Sequence, residues 1–210
     1  MATLDLDAIA AAGLALVDHR GADALTMRAV ATELGVSTMS LYHYVENKAA
    51  LVELLVDKAH REQPLPAPSG EGWREEVREL AGWMRNSIRA HPALLRLRLE
   101  YNVYTPSMLT FGERWINLWQ QSGLDFDAAN RAAAASSMAI IGFAKEEVSL
   151  RDFKPPDPEL LSWLPNMRHL STSPPEPGTS FELFIRALID GIFDVLARGQ
   201  AIAGDAAPIA

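Results

Sequence analysis

The chain has no cysteine, so it has no disulfide framework, no thiolate nucleophile and no cysteine-based zinc site. It also lacks a long apolar run. The most apolar stretch, Ala132 to Ala144, contains Ser136 and Ser137 and falls short of the ~18 residues that a membrane span needs. Met1 to Asp7 is short and acidic, without the basic start and apolar middle of a secretory signal. A soluble, cytoplasmic protein is expected. The alternation of apolar and polar positions that marks a half-buried strand occurs nowhere. Positive charge is scarce too, with 19 Lys and Arg against 27 Asp and Glu and a net charge of −8.

Catalytic signatures are missing as well. There is no G-x-S-x-G elbow, no phosphate-cradling glycine loop and no H-E-x-x-H. A di-iron site in a helical bundle needs two E-x-x-H pairs. The nearest match, Asp57-Lys58-Ala59-His60, occurs once and with the shorter acid. No enzymatic activity, cofactor or bound metal is expected.

What is present is helical periodicity over 210 residues that are 49% hydrophobic, enough to bury a full core in one or two domains. The fold class expected is all-α. Asp5 or Asp7 caps a first helix to about His19, with Ile9, Leu14, Leu16 and Val17 inward. A fourth helix starts near Asn47 and runs to about Arg61. Residues 64–70, Pro-Leu-Pro-Ala-Pro-Ser-Gly, read as a stiff linker, which divides the chain into domains over 1–61 and 70–200. Beyond it, apolar residues at helical spacing predict helices over Trp73–Ala90, Pro92–Leu99, Pro106–Gln121, from Asp125 or Asp127 to about Leu150, and from Phe181 to about Ala197. The proline-rich segment between Lys154 and Gly178 reads as a long loop with a short helix around Glu159–Trp163. The residues after Gly199 read as a frayed tail.

Thr26 to Lys48, TMRAVATELGVSTMSLYHYVENK, carries the functional signal. Thr26 is an N-cap before Met27-Arg28-Ala29-Val30. Ala31 is small enough for a second helix to cross above it. Gly35 can take the positive φ that ends a helix in one residue, and Ser37 caps the next. Leu41 and Val45 turn inward, which leaves Thr38, Met39, Ser40, Tyr42, His43 and Tyr44 outward. An ordinary wet helix face would use Glu, Lys and Gln, the better helix formers; this one uses short hydroxyls and aromatics, which suit base edges, thymine methyls and phosphates. The segment is a helix-turn-helix, the unit whose second helix enters the major groove.

Thr26, Arg28, Ala31, Leu34-Gly35-Val36-Ser37, Leu41-Tyr42, Tyr44-Val45, Lys48 and Leu51 together resemble the DNA-binding domain of the TetR family of bacterial regulators. The resemblance implies a lead-in helix, the helix-turn-helix, and a fourth helix joining a ligand-binding, dimerising bundle. Carried over by position, Arg28, Thr38, Met39, Ser40, Tyr42 and His43 would meet bases or nearby phosphates. Tyr44 and Lys48 would hold the DNA backbone, and the caps Thr26 and Ser37 complete the candidate DNA-contact set. Within this segment Arg28 and Lys48 are balanced by Glu33 and Glu46. Affinity for DNA of any sequence should therefore be modest, and tight binding is expected at a palindromic operator whose half-sites are read together.

The second domain is rich in aromatic residues and methionine, which line pockets for planar or greasy ligands. Trp83, Met84, Tyr101, Tyr104, Trp115, Trp119, Met138 and Ile141 are candidate walls, although each also reads as core. His60, Asn102 and Glu146 are candidate polar contacts, with Arg89, Arg98 and Ser137 further ones. Glu146 and Glu147 read equally as the place where their helix emerges into water. Glu146 falls where tetracycline-binding members of the family place an acidic group near a drug-bound magnesium. The matching histidine is absent from Tyr101–Pro106, so a different, apolar or aromatic effector is expected. The helices around 128–150 and 181–197 are unusually apolar, and the family pairs through its last two long helices. A homodimer through them is expected, the small residues of the first allowing close approach. The function expected is a ligand-responsive transcriptional repressor that is released from its operator by a small effector. The residues leave open a ligand-activated or constitutive regulator of the same fold, and a helical adaptor whose Tyr42–Tyr44 face binds protein.

Overall fold

The computed structural model describes residues 4–152, 154, 156, 157, 159–172 and 176–205. Among the described residues there are ten α-helices and no strand. They are α1 (Leu6–Arg20), α2 (Met27–Glu33), α3 (Thr38–Tyr42), α4 (Lys48–Glu62), α5 (Trp73–Ala90), α6 (Pro92–Glu100), α7 (Pro106–Gln121), α8 (Phe126–Ser149), α9 (Pro165–Thr172) and α10 (Pro177–Asp205). Side-chain caps set several starts. The amides of Ala8, Ala50 and Ala128 donate to Asp5 Oδ1 (2.8 Å), Asn47 Oδ1 (3.0 Å) and Asp125 Oδ1 (2.8 Å), each satisfying an amide that the first helical turn leaves orphaned. Prolines open α6 and α7 at positions where a missing N–H costs nothing.

The proline-rich segment departs from expectation. Residues 159–163 form turns, and the helix there is α9, Pro165–Thr172. Pro165 stands at its first turn, where its fixed φ favours a start. The last helix is also longer than expected, running to Asp205 rather than ending near Ala197. Alanines at 201 and 203 are strong helix formers that carry it past Gly199.

Two hydrophobic clusters organise the molecule. The first gathers Ile9, Leu14 and Val17 of α1, Val30 and Ala31 of α2, Leu41 of α3, and Leu51 and Leu55 of α4. It also takes Leu94 and Leu97 of α6, so a helix beyond the proline linker packs into the core of the reading unit. The second cluster is built by α5, α7, α8 and α10 around Leu80, Trp115, Trp119, Ile140 and Ile185. Ala128, Ala129, Ala132 and Ala133 of α8 are buried in it. These four small residues are thus used inside the protein, while Ala134, Ala135 and Gly142 of the same helix are exposed. There the indole Nε1 of Trp115 donates to the carbonyl of Ala133 at 3.1 Å. The linker is tied down rather than free, since Arg114 donates to the carbonyl of Pro66.

Candidate DNA-reading face and effector cavity

The turn between α2 and α3 follows from the chain order of a few residues. Thr26 Oγ1 accepts from the amide of Ala29 at 3.0 Å and starts α2. At the other end, Gly35 takes φ +66. Its amide donates to Thr32 and the next amide, that of Val36, donates back to Ala31. This pair of bonds is the Schellman ending, which closes the last carbonyls of a helix and reverses the chain. Ser37 then starts α3, accepting from the amide of Ser40 at 3.0 Å. Leu41 and Val45 are 0% and 2% exposed and hold the turn and its exit against α1 and α4.

Fixing those two residues fixes what points outward. Met39 is 70% exposed, Tyr42 48% and Tyr44 46%. Ser37 and His43 are exposed beside them, while Thr38 and Ser40 are half-buried. Thr26 and Arg28 are exposed at the start of α2. Lys48 is the first residue of α4, half-buried, with Nζ lying over the ring of Tyr101 at 5.2 Å from its centroid. Three large apolar or aromatic side chains in the open on one small helix and its exit are costly in water; on a DNA-reading surface they meet thymine methyls and sugar edges.

A cavity of about 270 Å³ opens where α4, α5, α6, α7 and α8 converge. Its walls come from side chains at helical spacing: Val56 and His60 on α4, Met84 and Ile88 on α5, Leu94 and Arg98 on α6, and Ser137 and Ile141 on α8, closed by Trp83 and Phe111. Trp83 is locked in place, donating its indole N–H to the carbonyl of Gln63 at 3.0 Å, and it stacks on Phe111 with centroids 5.3 Å apart. Burial pushes the pKa of His60 below its ordinary value; the charge of Arg98 adds to this and that of Asp57 opposes it. His60 is therefore neutral at pH 7. Its Nδ1 is buried without a hydrogen-bond partner among the described residues.

Of the expected pocket residues, His60, Trp83, Met84, Arg98, Ser137 and Ile141 line this cavity. The others lie elsewhere, for identifiable reasons. Trp115 is buried one layer behind, stacked on Phe111 at 5.6 Å. Trp119 is fully buried in the second cluster against Trp73. Met138 is one position round α8 from Ser137 and is 72% exposed on the outer surface. Tyr101 packs on the first cluster under Lys48. Asn102 takes φ +51 in the turn after α6, and Tyr104 beyond it is 61% exposed. Glu146 is exposed on α8; its neighbour Glu147 turns inward instead and pairs with Arg85. Phe111, Leu94 and Leu95 belong to the cavity without having been singled out. Their helical stripes are visible in the sequence, but which stripes share a void depends on how the helices cross.

The cavity is coupled to the reading unit through α4 and α6. Helix α4 runs from Lys48 beside the reading helix to His60 in the cavity wall. Helix α6 puts Arg98 in the wall and is bonded to the first domain: Arg96 to Asp23, and His91 Nδ1 to Asp18 at 2.9 Å. The helices that support the helix-turn-helix unit thus also wall the cavity.

The chain belongs to the tetR family of bacterial regulatory proteins. That family's model matches residues 9–55, and the tetracyclin repressor-like C-terminal domain matches residues 65–195. Among curated relatives, the HTH-type transcriptional repressor DrrR1 of Streptomyces coeruleorubidus is 33% identical over 147 residues, 70% of this chain and 54% of that protein. The tetracycline repressor protein class D of Escherichia coli is 36% identical over 101 residues, 47% of this chain and 43% of that one. The chain thus spans about half the length of these relatives. Among solved structures, apo ActR of Streptomyces coelicolor superposes with a TM-score of 0.72 at 27% identity, covering 95% of this chain and 99% of that one. ActR in complex with actinorhodin superposes with 0.71 at 27% identity, covering 93% and 98%.

Proposed function

We propose that the protein is a homodimeric transcriptional repressor of the cytoplasm that holds a palindromic operator and lets go when a small effector with an aromatic body enters the cavity. One observation carries this reading: α4 and α6 each touch both the cavity and the reading unit. An effector wedged between His60 on α4 and Trp83 on α5 pushes on the far end of the helix that presents Lys48 to the DNA. One that engages α6 moves the helix latched to Asp18 and Asp23. Either displacement alters how two reading helices are spaced across successive major grooves, which must lie about 34–36 Å apart on one face of the duplex. The effector favours release to the extent that it binds the displaced arrangement more tightly.

The dimer is read from α8 and α10. Met138, Leu183 and Val195 are 72%, 71% and 69% exposed on these two long helices, an apolar surface that a symmetric partner would cover. DrrR1 is named as a repressor, and ActR has been solved with actinorhodin bound. Both accord with ligand-controlled repression here. The test is footprinting and fluorescence anisotropy on the DNA upstream of the protein's own gene. A two-fold symmetric footprint is expected, with affinity at least ~10³ above that for shuffled sequence. Equal affinity for both sequences rejects operator recognition.

A further inference from the structure

Arg98 is the charged group of the cavity, and among the described residues no carboxylate pairs with it. It is half-buried on α6 and lines the void. Other sheltered arginines of the bundle are treated differently: Arg85 is paired with Glu147, and Arg114 with Glu76. Arg89, also half-buried and without a carboxylate, does not line the cavity. Burial lowers the pKa of Arg98 from its ordinary value, yet a guanidinium keeps its proton under any physiological condition. An unpaired charge facing apolar walls is costly, and that cost is recovered if a bound molecule supplies the counter-charge. Close to it, His60 leaves Nδ1 unpartnered, and the hydroxyl of Ser137 makes no hydrogen bond among the described residues while lining the same void. The stacked pair Trp83 and Phe111 lines the same void, with Trp83 also packed against His60 at 5.7 Å between ring centroids.

The geometry points to an effector that is a planar aromatic acid, with its anionic group on the Arg98 guanidinium and its rings against Trp83 and Phe111. The carboxylate or ionised acidic hydroxyl takes two of the fixed donors of the guanidinium fork. His60 and Ser137 serve further oxygens along the ring edge, and the apolar walls take the rest. This assignment deepens the reading of the cavity as the effector site and rests on it. It also joins recognition to response, because Arg98 is two residues from Arg96, the α6 residue that holds Asp23 of the reading domain. An anion drawing in Arg98 pulls on the helix that carries that latch.

Matched probes test it. Naphthalene-, anthracene- and anthraquinone-2-carboxylates and their carboxamides are titrated into the full-length protein by isothermal calorimetry. At least one acid is expected to bind about ten- to a hundredfold tighter than its amide, the size of a charge-assisted hydrogen-bonded pair. In Arg98→Gln this preference falls to within about twofold while amide binding persists, which also shows that the variant is folded. Arg98→Lys, which keeps the charge but loses the fork, retains part of it. If acid and amide bind the wild type equally, or if the preference survives in Arg98→Gln, the anionic assignment is wrong although the cavity stands as a ligand site. If no acid and no amide binds the wild type, the effector-site reading falls and this inference falls with it.

Discussion

The Nζ of Lys48 lies 5.2 Å from the ring centroid of Tyr101, which joins the first residue of α4 to the C-cap of α6 across the boundary that the proline linker marks in the sequence. Asp23, held by Arg96 of the same helix, is also drawn toward ionisation, first by the bond and charge of Arg96 and then by Lys48. The lysine proposed to hold a DNA phosphate therefore rests on the C-cap of the helix that lines the cavity. A double-mutant cycle on unfolding free energy, Lys48→Met against Tyr101→Leu, is expected to give a coupling of about 0.5–1 kcal/mol. A coupling of zero would mean that the two side chains are merely adjacent.

Tyr42 and Lys48 should fail differently on DNA. Tyr42 is 48% exposed on the reading helix, and Tyr42→Ala is expected to cost about 1–3 kcal/mol on the operator, with little effect on shuffled DNA, thermal stability or dimer size. Lys48→Met is expected to weaken operator and shuffled DNA by a similar factor and to reduce the salt slope of binding by about 1. Anisotropy titrations at several salt concentrations separate the two. A Tyr42→Ala protein with unchanged operator affinity would remove α3 from the reading role.

Local chemistry was legible in the sequence and spatial convergence was not. Thr26, Gly35 and Ser37 announce the helix-turn-helix because each acts within a few residues of itself, by a cap or a positive φ. The same holds for the starts of α4, α6 and α7 at Asn47, Pro92 and Pro106. Helix α9 (Pro165–Thr172) is not legible in its true place, because prolines on both sides break the periodicity that would reveal it. The cavity was legible only in part. His60, Trp83, Met84 and Ile141 came from residue type; Trp115 and Trp119 are of the same type and fill core. Ser137 and Met138 differ by one position, about 100° round a helix, and that rotation decides which one faces the void. No local rule shows that α6 completes the first hydrophobic core, because Leu94 and Leu97 signal only a buried face and not its partner.

His60 makes stability depend on pH in a definite direction. Burial holds its folded pKa below the ordinary 6.5, so between those two values the unfolded chain binds more protons than the folded one. Stability then rises with pH through that window. The contribution is complete above about 6.5 and is lost as pH falls through the folded value. Thermal melts of wild type and His60→Gln from pH 7.5 to 5 are expected to show a smaller fall in the variant. Parallel curves would place the pH dependence in other groups.

The proposed dimer makes Leu183 and Val195 critical without their being part of any core. Both are largely exposed on α10, so Leu183→Glu combined with Val195→Glu is expected to leave the fold of each subunit intact. The pair of new charges would face a second pair across a two-fold axis, and light scattering is expected to show a monomer. Operator affinity should then drop toward that for a single half-site. A variant that remains dimeric would place the interface on another face.

Neighbouring glutamates on α8 offer the sharpest stability contrast. Glu147 pairs with Arg85 of α5, with side-chain exposures of 8% and 12%, and the guanidinium also lies 4.4 Å from the ring centroid of Phe181 on α10. Three helices thus meet on one buried ion pair. Removing one partner strands the other charge, so Glu147→Ala is expected to destabilise by about 3–5 kcal/mol in urea unfolding. Glu146, one position round the helix, is exposed, and Glu146→Ala should stay within about 0.5 kcal/mol of wild type. Replacing Arg85 and Glu147 together by Met and Leu removes both charges and should recover much of the loss, because packed apolar side chains carry no desolvation penalty. Recovery would show that the cost lies in the stranded charge; a double variant as unstable as Glu147→Ala would show that α5 and α8 require the ion pair itself.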